Sequence, residues 1–120
     1  MGSVFLQEVQ ATVLVFELRD FMRMTANLAP IELGANLSRF YEHVESLVTK
    51  EHGRVVKWMG DSVLCAWLSS ETSDAGAAAI ASLQAARHAR ATWIQEGVAA
   101  GMQPLDYSMA LAAGVVLAGQ

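Results

Sequence analysis

The chain has 120 residues, of which 53% are hydrophobic and only 17% are charged, and its formal net charge is −4. This length allows one domain with a single core, and the negative charge excludes the attraction by which basic proteins bind nucleic acid or anionic membranes. No apolar run approaches the roughly 18 residues of a membrane span, and the first residues lack the basic segment of a signal peptide. We expect one domain over residues 1–120, with a flexible or tag-derived start at 1–9.

The cysteine content bears on the cellular location of the protein, and the apolar composition on its contacts with partners. The single cysteine, Cys65, lies inside an apolar run, so we expect it to be buried. A chain without a disulfide framework suits the cytoplasm, which is the location that we expect. The high apolar content indicates that part of the surface meets a partner.

The first half of the chain predicts a strand and a long helix. Residues 10–16 form a short β-branched run that is apolar on both faces, which is typical of a central strand. Residues 18–29 read as a loop with a helical turn. A helix then begins at Pro30 and carries apolar residues at spacings of three and four. We expect Gly53 to end it as the left-handed cap.

The second half predicts a hairpin, a helix and a last strand. The hairpin covers residues 54–68 around a turn at Gly60 and Asp61, and we expect it to be buried. A helix of small residues follows at about 73–101, and an apolar strand at 108–118. The order is β-α-β-β-α-β, that of the split βαβ layout. The predicted fold class is therefore α+β, a ferredoxin-like βαββαβ sandwich with an antiparallel-rich sheet and helices on one face.

Two acidic residues stand where such a fold brings strand ends together. Glu17 ends the first strand, and Asp61 lies at the hairpin tip. Two carboxylates on adjacent strands suit a divalent metal site that handles phosphate. The alternatives are that Asp61 is a turn former bonded to its own backbone, and that Glu17 is an exposed strand-end acid, with or without a pairing to Arg19.

The histidines and tryptophans have simpler interpretations. His43, His52 and His88 share no metal-ligand spacing, and we expect them on the surface of helices. Trp58 and Trp67 are expected in the core rather than as a platform for a nucleotide base. None of these five residues is therefore assigned to a site.

Four segments carry motifs of one known family in the order in which that family has them. Residues 13–21 are similar to V-x-L-F-A-D-I-R-G-F-T, and residues 30–53 to the helix that follows it. Residues 56–67 are similar to the hairpin motif K-x-x-G-D-x-x-M-A-x-F, and residues 112–119 to G-I-x-x-G-x-V-x-x-G. The ordered set resembles the class III nucleotidyl cyclase homology domain of adenylate and guanylate cyclases, in a truncated and divergent form.

The resemblance implies roles for particular residues. In the family, two carboxylates hold two divalent ions, Mg²⁺ or Mn²⁺, and here Glu17 and Asp61 stand at those positions. Lys57 stands where adenylate cyclases have a lysine that reads adenine, whose N1 accepts a hydrogen bond; its alternative is a solvent-facing strand residue. The phosphate loop of the family corresponds to Leu18, Asp20 and Phe21.

Several positions depart from the family pattern. Glu17 replaces Asp and is longer by one methylene group, Asp20 replaces the Gly whose backbone approaches the phosphates, and Met22 replaces Thr or Ser. The sequence stops at Gln120, before the acid, the Asn and the Arg that the family has farther on. We therefore assign no catalytic residue and expect a damaged phosphate loop.

Three functions remain open from the sequence. The first is a degenerate, inactive cyclase homology domain that acts in signalling as an interaction or dimerisation module. Its partner would be a second copy or another signalling protein, and it would bind ATP and Mg²⁺ or Mn²⁺ weakly if at all. The second is an adenylate cyclase half-site that converts ATP to cyclic AMP and pyrophosphate when a partner or further sequence completes it. The third is a ferredoxin-like module unrelated to cyclases.

Overall fold

The computed structural model describes residues 6–119, and within them it contains one antiparallel sheet and three helices. The elements, in chain order, are β1 (Leu6–Leu18), α1 (Phe21–Thr25), α2 (Pro30–Thr49), β2 (Arg54–Met59), β3 (Ser62–Leu68), α3 (Ala75–Ala99) and β4 (Tyr107–Gly119). The strand order across the sheet is β2-β3-β1-β4, and each adjacent pair is antiparallel. The predicted α+β fold class is confirmed. Residues 1–5 of the expected flexible start lie outside the described part of the chain, and β1 begins at Leu6.

The core lies between one face of the sheet and helices α2 and α3. Alternate residues of each strand point to the same face of the sheet. The register pairs Phe16 of β1 with Val63 of β3, so the even-numbered residues of β1 and the odd-numbered residues of β3 share the face that meets the helices. The core consists chiefly of Leu14, Phe16, Leu18, Phe40, Val44, Val48, Val63, Cys65, Trp67, Ala79, Ala86, Trp93 and Tyr107. Burying each large apolar side chain contributes about 1.5–3 kcal/mol. Cys65 is buried as expected, and burial raises the pKa of its thiol to about 12.

The opposite face of the sheet carries small and apolar side chains and is not covered by a helix within residues 6–119. Val15 of β1 lies at its centre, paired with Leu64 on one side and with Ala110 on the other. Val13 and Ala112 form the next pair along the sheet. These side chains are half-buried or exposed. We call the surface formed by Val13, Val15, Leu64, Ala110 and Ala112 the open face.

Strand β2 is more exposed than the sequence suggested. We expected a buried hairpin, but β2 is an edge strand, and five of its six residues are exposed. A register shift between Val55 and Lys57 interrupts its pairing with β3. Such a bulge also hinders pairing with another chain at this edge.

The end of α2 differs from the prediction in one residue. The left-handed position belongs to His52, with φ of 65°, and not to Gly53. Glycine is required at 53 for a different reason, because a β-carbon there would lie 2.7 Å from Cζ2 of Trp67. The indole Nε1 of Trp67 donates to the Glu51 carbonyl at 2.9 Å. Gly53 therefore lets the buried Trp67 ring lie against the chain between α2 and β2.

Helix α3 packs closely because its buried positions are small. Ala79, Ser82 and Ala86 are fully buried, and the Ser82 hydroxyl donates to the Leu47 carbonyl of α2 at 2.9 Å. Asp74 caps the helix by accepting a hydrogen bond from the Ala77 amide at 2.9 Å. Within residues 6–119, no helix combines the length and the apolar character needed to cross a bilayer.

His43 is not the surface residue that we expected. Its ring stacks on Trp93 at a centroid distance of 4.9 Å, and its Nε2 lies 2.7 Å from the Tyr107 hydroxyl. The hydroxyl donates its only proton to the Ala86 carbonyl at 3.2 Å, so His43 donates to the tyrosine oxygen. Burial, and then the charge of Arg39, lower the pKa of His43 from 6.5 to about 4.

This depressed pKa makes stability depend on pH. Because the unfolded chain binds a proton near pH 6.5 and the folded chain only near pH 4, the free energy of unfolding falls as the pH decreases through that range. We expect the free energy of unfolding of His43→Gln to decrease by about 1–2 kcal/mol less than that of the wild type when the pH is lowered. This figure allows for solvent screening of the half-buried ring. Chemical denaturation at pH 7 and pH 4.5 measures it. His88→Gln, at an exposed position of α3, is the control, and equal pH dependence of His43→Gln and the wild type would contradict the prediction.

Candidate metal and nucleotide site

The structure brings the end of β1 and the β2–β3 turn together at one edge of the sheet. Glu17 pairs with Ser62, the first residue of β3, and the Leu18 amide donates to the Asp61 carbonyl at 2.8 Å. The turn is tight because Gly60 adopts φ of 66°, which glycine does without strain. The two acids that the sequence singled out therefore belong to neighbouring segments of backbone.

Both carboxylates are free to take a ligand. Glu17 is exposed and Asp61 is half-buried. Within residues 6–119, Asp61 makes no side-chain hydrogen bond to the turn backbone, and Glu17 makes no ion pair with Arg19. Within this part of the chain, the turn-former interpretation of Asp61 is therefore not observed, whereas Glu17 is the exposed strand-end acid of its alternative interpretation, without the pairing to Arg19. Carboxylate oxygens are the ligands that Mg²⁺ and Mn²⁺ prefer, so both side chains are candidate ligands for a divalent cation.

The pair supplies only two protein ligands. Among the described residues, no group of three or more His, Cys, Asp or Glu side chains could enclose a metal ion. Mg²⁺ is commonly bound by one or two carboxylates together with water and substrate phosphates. The arrangement is therefore suited to a cation that arrives with a phosphate ligand.

Lys57 lies on the same side of the sheet as Glu17. It pairs with Leu64, which in turn pairs with Val15 of the open face. Its side chain is exposed, and it makes no ion pair with another residue of the range 6–119. An ammonium group here can donate to a ligand beside the two carboxylates.

The loop after β1 differs from a free phosphate cradle. Asp20 adopts φ of 52° and is exposed, and its carboxylate pairs with Arg23 at 3.2 Å. The Leu18 amide is already bonded to Asp61, and the Arg19 amide donates to the Asp106 carbonyl at 2.8 Å. Of the proposed loop residues, Phe21 packs partly against the core, while the nearby Met22 is 79% exposed.

Sequence reasoning missed one residue that contacts this site. The Tyr41 hydroxyl of α2 donates to the Gly60 carbonyl at 2.6 Å, and its ring centroid lies 4.6 Å from that of Trp58. Trp58 is 41% exposed, so the expectation that it belongs to the core is wrong. Desolvation, and then the charge of Asp61, raise the pKa of Tyr41. Tyr41 belonged to the apolar stripe of α2, and nothing in that pattern indicated that its hydroxyl reaches the turn.

The sequence matches the family model described as the adenylate and guanylate cyclase catalytic domain over residues 6–120. The chain belongs to this family. Membership of the cyclase family thus accounts for the fold of this chain. No curated protein sequence is significantly similar to this cyclase domain.

Solved cyclase structures have the same fold. The guanylyl cyclase Cya2 is 23% identical, with a TM-score of 0.84 over 93% of this chain and 57% of its own. The adenylyl cyclase CyaB from P. aeruginosa is 22% identical, with a TM-score of 0.80 over 94% and 60%. A dimeric guanylyl cyclase domain of the RhoGC fusion protein from the aquatic fungus Blastocladiella emersonii is 13% identical, with a TM-score of 0.74 over 96% and 63%. This cyclase domain therefore spans about three fifths of those chains.

Proposed function

We propose that this chain is a cyclase domain with an impaired phosphate loop, and that it acts in signalling by pairing with a second copy of itself. The observation that carries the proposal is Asp20, an acidic side chain in the left-handed position of the loop that would face the phosphates. Its negative charge opposes an anionic ligand, and its side chain occupies space that glycine would leave open.

A second feature of the same loop supports the impairment. Glu17 is longer than aspartate by one carbon–carbon bond, about 1.5 Å. A displacement of about 1 Å from the reactive geometry can reduce a rate on the order of a hundredfold. Asp20 and Glu17 both lie at the end of β1 or just beyond it, so their effects act on the same phosphate groups.

The remaining site residues would still hold a cation and a nucleotide. Glu17 and Asp61 would bind Mg²⁺ or Mn²⁺, and the bound ion would neutralise charge on the phosphates of ATP. Lys57 would donate a hydrogen bond to N1 of adenine, whereas N1–H of guanine would require an acceptor. With two protein ligands and an acidic loop, we expect this binding to be weak.

The open face is the surface that suits a second copy. Its central side chains, Val15, Leu64 and Ala110, are apolar and are not covered by a helix of the described chain. Most stable homodimers are two-fold symmetric, so one self-complementary patch serves both copies. Among the similar structures, the fungal RhoGC domain is described as a non-canonical dimer in one and as monomeric in another, so the proposed pairing depends on the open face of this chain. Lys57 and Glu17 lie at the same side of the sheet, so the patch contributes charges of both signs.

Sedimentation equilibrium of the wild-type chain over a wide range of concentration tests the pairing. We expect a reversible monomer–dimer equilibrium whose position shifts with concentration. A chain that stays monomeric at the highest concentration would contradict the proposed homodimer.

A second function is favoured by Lys57. Its exposed side chain lies on the same face of the sheet as Glu17, and an adenylate cyclase half-site would use such a lysine to read the base of ATP. Under this alternative, a partner or further sequence would complete the site, and the products would be cyclic AMP and pyrophosphate. Formation of cyclic AMP that Asp61→Ala abolishes would favour the half-site over the impaired domain.

A further inference from the structure

The turn that carries Asp61 is held from outside the sheet by a single tyrosine. The Tyr41 hydroxyl donates to the Gly60 carbonyl at 2.6 Å, which is a short hydrogen bond for an O–H donor. Gly60 immediately precedes Asp61, and its φ of 66° belongs to a tight turn. The bond therefore joins α2 to the peptide group that links Gly60 to Asp61.

An aromatic contact fixes the same segment from a second direction. The Tyr41 ring lies 4.6 Å from that of Trp58, centroid to centroid, with an angle of 52° between the planes. Trp58 pairs with Val63 and so points to the helix side of the sheet, while its neighbour Lys57 pairs with Leu64 and points to the open-face side. Holding Trp58 against α2 thus also fixes the direction in which Lys57 extends.

The other support for the turn is the hydrogen bond from the Leu18 amide to the Asp61 carbonyl. Apart from these two bonds, β2 offers little restraint, because it is an exposed edge strand with a shifted register. The carboxylate of Asp61 is therefore oriented by the peptide groups on either side of it. One of those groups is bonded to β1 and the other to Tyr41.

We propose that Tyr41 is a positioning residue that orients Asp61 for cation binding. The inference rests on the proposed cation site at Glu17 and Asp61. Groups that bond to a ligating side chain limit the orientations it samples, and removing them commonly weakens metal affinity by about 10- to 100-fold. The Tyr41 bond acts one step farther away, on the peptide group that precedes Asp61, so we expect the lower end of that range.

The test is a titration of the Tyr41→Phe variant with Mn²⁺, in which electron paramagnetic resonance measures the concentration of the free ion. This variant keeps the ring contact with Trp58 and removes only the hydroxyl. We expect the dissociation constant for Mn²⁺ to rise about tenfold, while the unfolding temperature changes little because the hydroxyl lies at the surface.

Tyr107→Phe is the matched control. It makes the same chemical change, but its hydroxyl bonds to Ala86 and His43 inside the helix layer. We expect this variant to lose more stability than Tyr41→Phe and yet to bind Mn²⁺ as the wild type does. If the role of Tyr41 were merely structural, Mn²⁺ affinity would follow stability, and Tyr107→Phe would bind Mn²⁺ more weakly than Tyr41→Phe.

The outcomes separate this inference from the proposed site. Wild-type protein that binds Mn²⁺ in a manner abolished by Asp61→Asn supports the site. If Tyr41→Phe then binds Mn²⁺ as tightly as the wild type, only the role of Tyr41 is overturned. Wild-type protein that binds no Mn²⁺, or binds it unaffected by Asp61→Asn, overturns both.

Discussion

Replacing Ala110 by arginine is expected to convert dimers of this chain into monomers and to weaken self-association by at least about a hundredfold. Ala110 lies on the edge strand β4 opposite Val15, whose side chain is at the centre of the open face. In a two-fold dimer, each substitution appears twice, once from each copy. An unpaired charge buried in an apolar contact costs about 3–5 kcal/mol, and every 1.4 kcal/mol is about a tenfold change in the association constant.

The control for this prediction is Ala91→Arg. It introduces the same side chain at an exposed position of α3, away from the open face. Sedimentation equilibrium of both variants beside the wild type, with unfolding temperatures, measures the effect. If Ala110→Arg leaves the monomer–dimer equilibrium as it is in the wild type, the open face is not the contact surface. If Ala91→Arg dissociates the dimer instead, the contact lies on the helix layer.

Repairing the loop after β1 is expected to increase the affinity for ATP in the presence of Mn²⁺. The triple variant Glu17→Asp, Asp20→Gly and Met22→Thr shortens the first carboxylate, removes the loop charge and adds a hydroxyl. We expect a gain of about 10- to 100-fold, since all three positions belong to the proposed phosphate loop, where removing a negative charge favours an anionic ligand. Loss of the exposed pair between Asp20 and Arg23 should change stability by less than about 1 kcal/mol.

Calorimetric titration with ATP and Mn²⁺ measures the gain. Glu45→Asp, an equal shortening of an exposed acid on α2, should leave the affinity unchanged. Adding Asp61→Ala to the repaired chain should remove the gain. A repaired loop that binds no more tightly than the wild type would show that Asp20 and Glu17 do not limit nucleotide binding.

The order of elements could be predicted from the sequence because each element has a strong local signal. The β-branched apolar run of β1, the apolar stripe that follows Pro30 and the Gly60 turn all depend on residues near one another in the chain. The positions of Glu17 and Asp61 followed from the same signals, since strand ends meet at a sheet edge. The structure agrees, because its register pairs Glu17 with Ser62, the residue that follows Asp61.

Features that depend on contacts between distant segments could not be predicted. His43 and Tyr41 stand on α2 at positions that looked peripheral or merely apolar, and their partners are Tyr107 and Gly60. Trp58 is exposed because β2 is an edge strand of the sheet. Local sequence patterns do not determine the order of strands in a sheet. Gly53 was correctly singled out as a special position, but its reason is the packed ring of Trp67, not its backbone angle.

The most direct test of the impaired-domain proposal is the formation of cyclic AMP from ATP and Mn²⁺ by the wild-type chain, compared with Asp61→Ala. The charge of Asp20 and the length of Glu17 predict that the two proteins give the same background, with no product that depends on Asp61. Cyclic AMP formed by the wild type and abolished by Asp61→Ala would contradict this and would show that the loop after β1 still supports turnover.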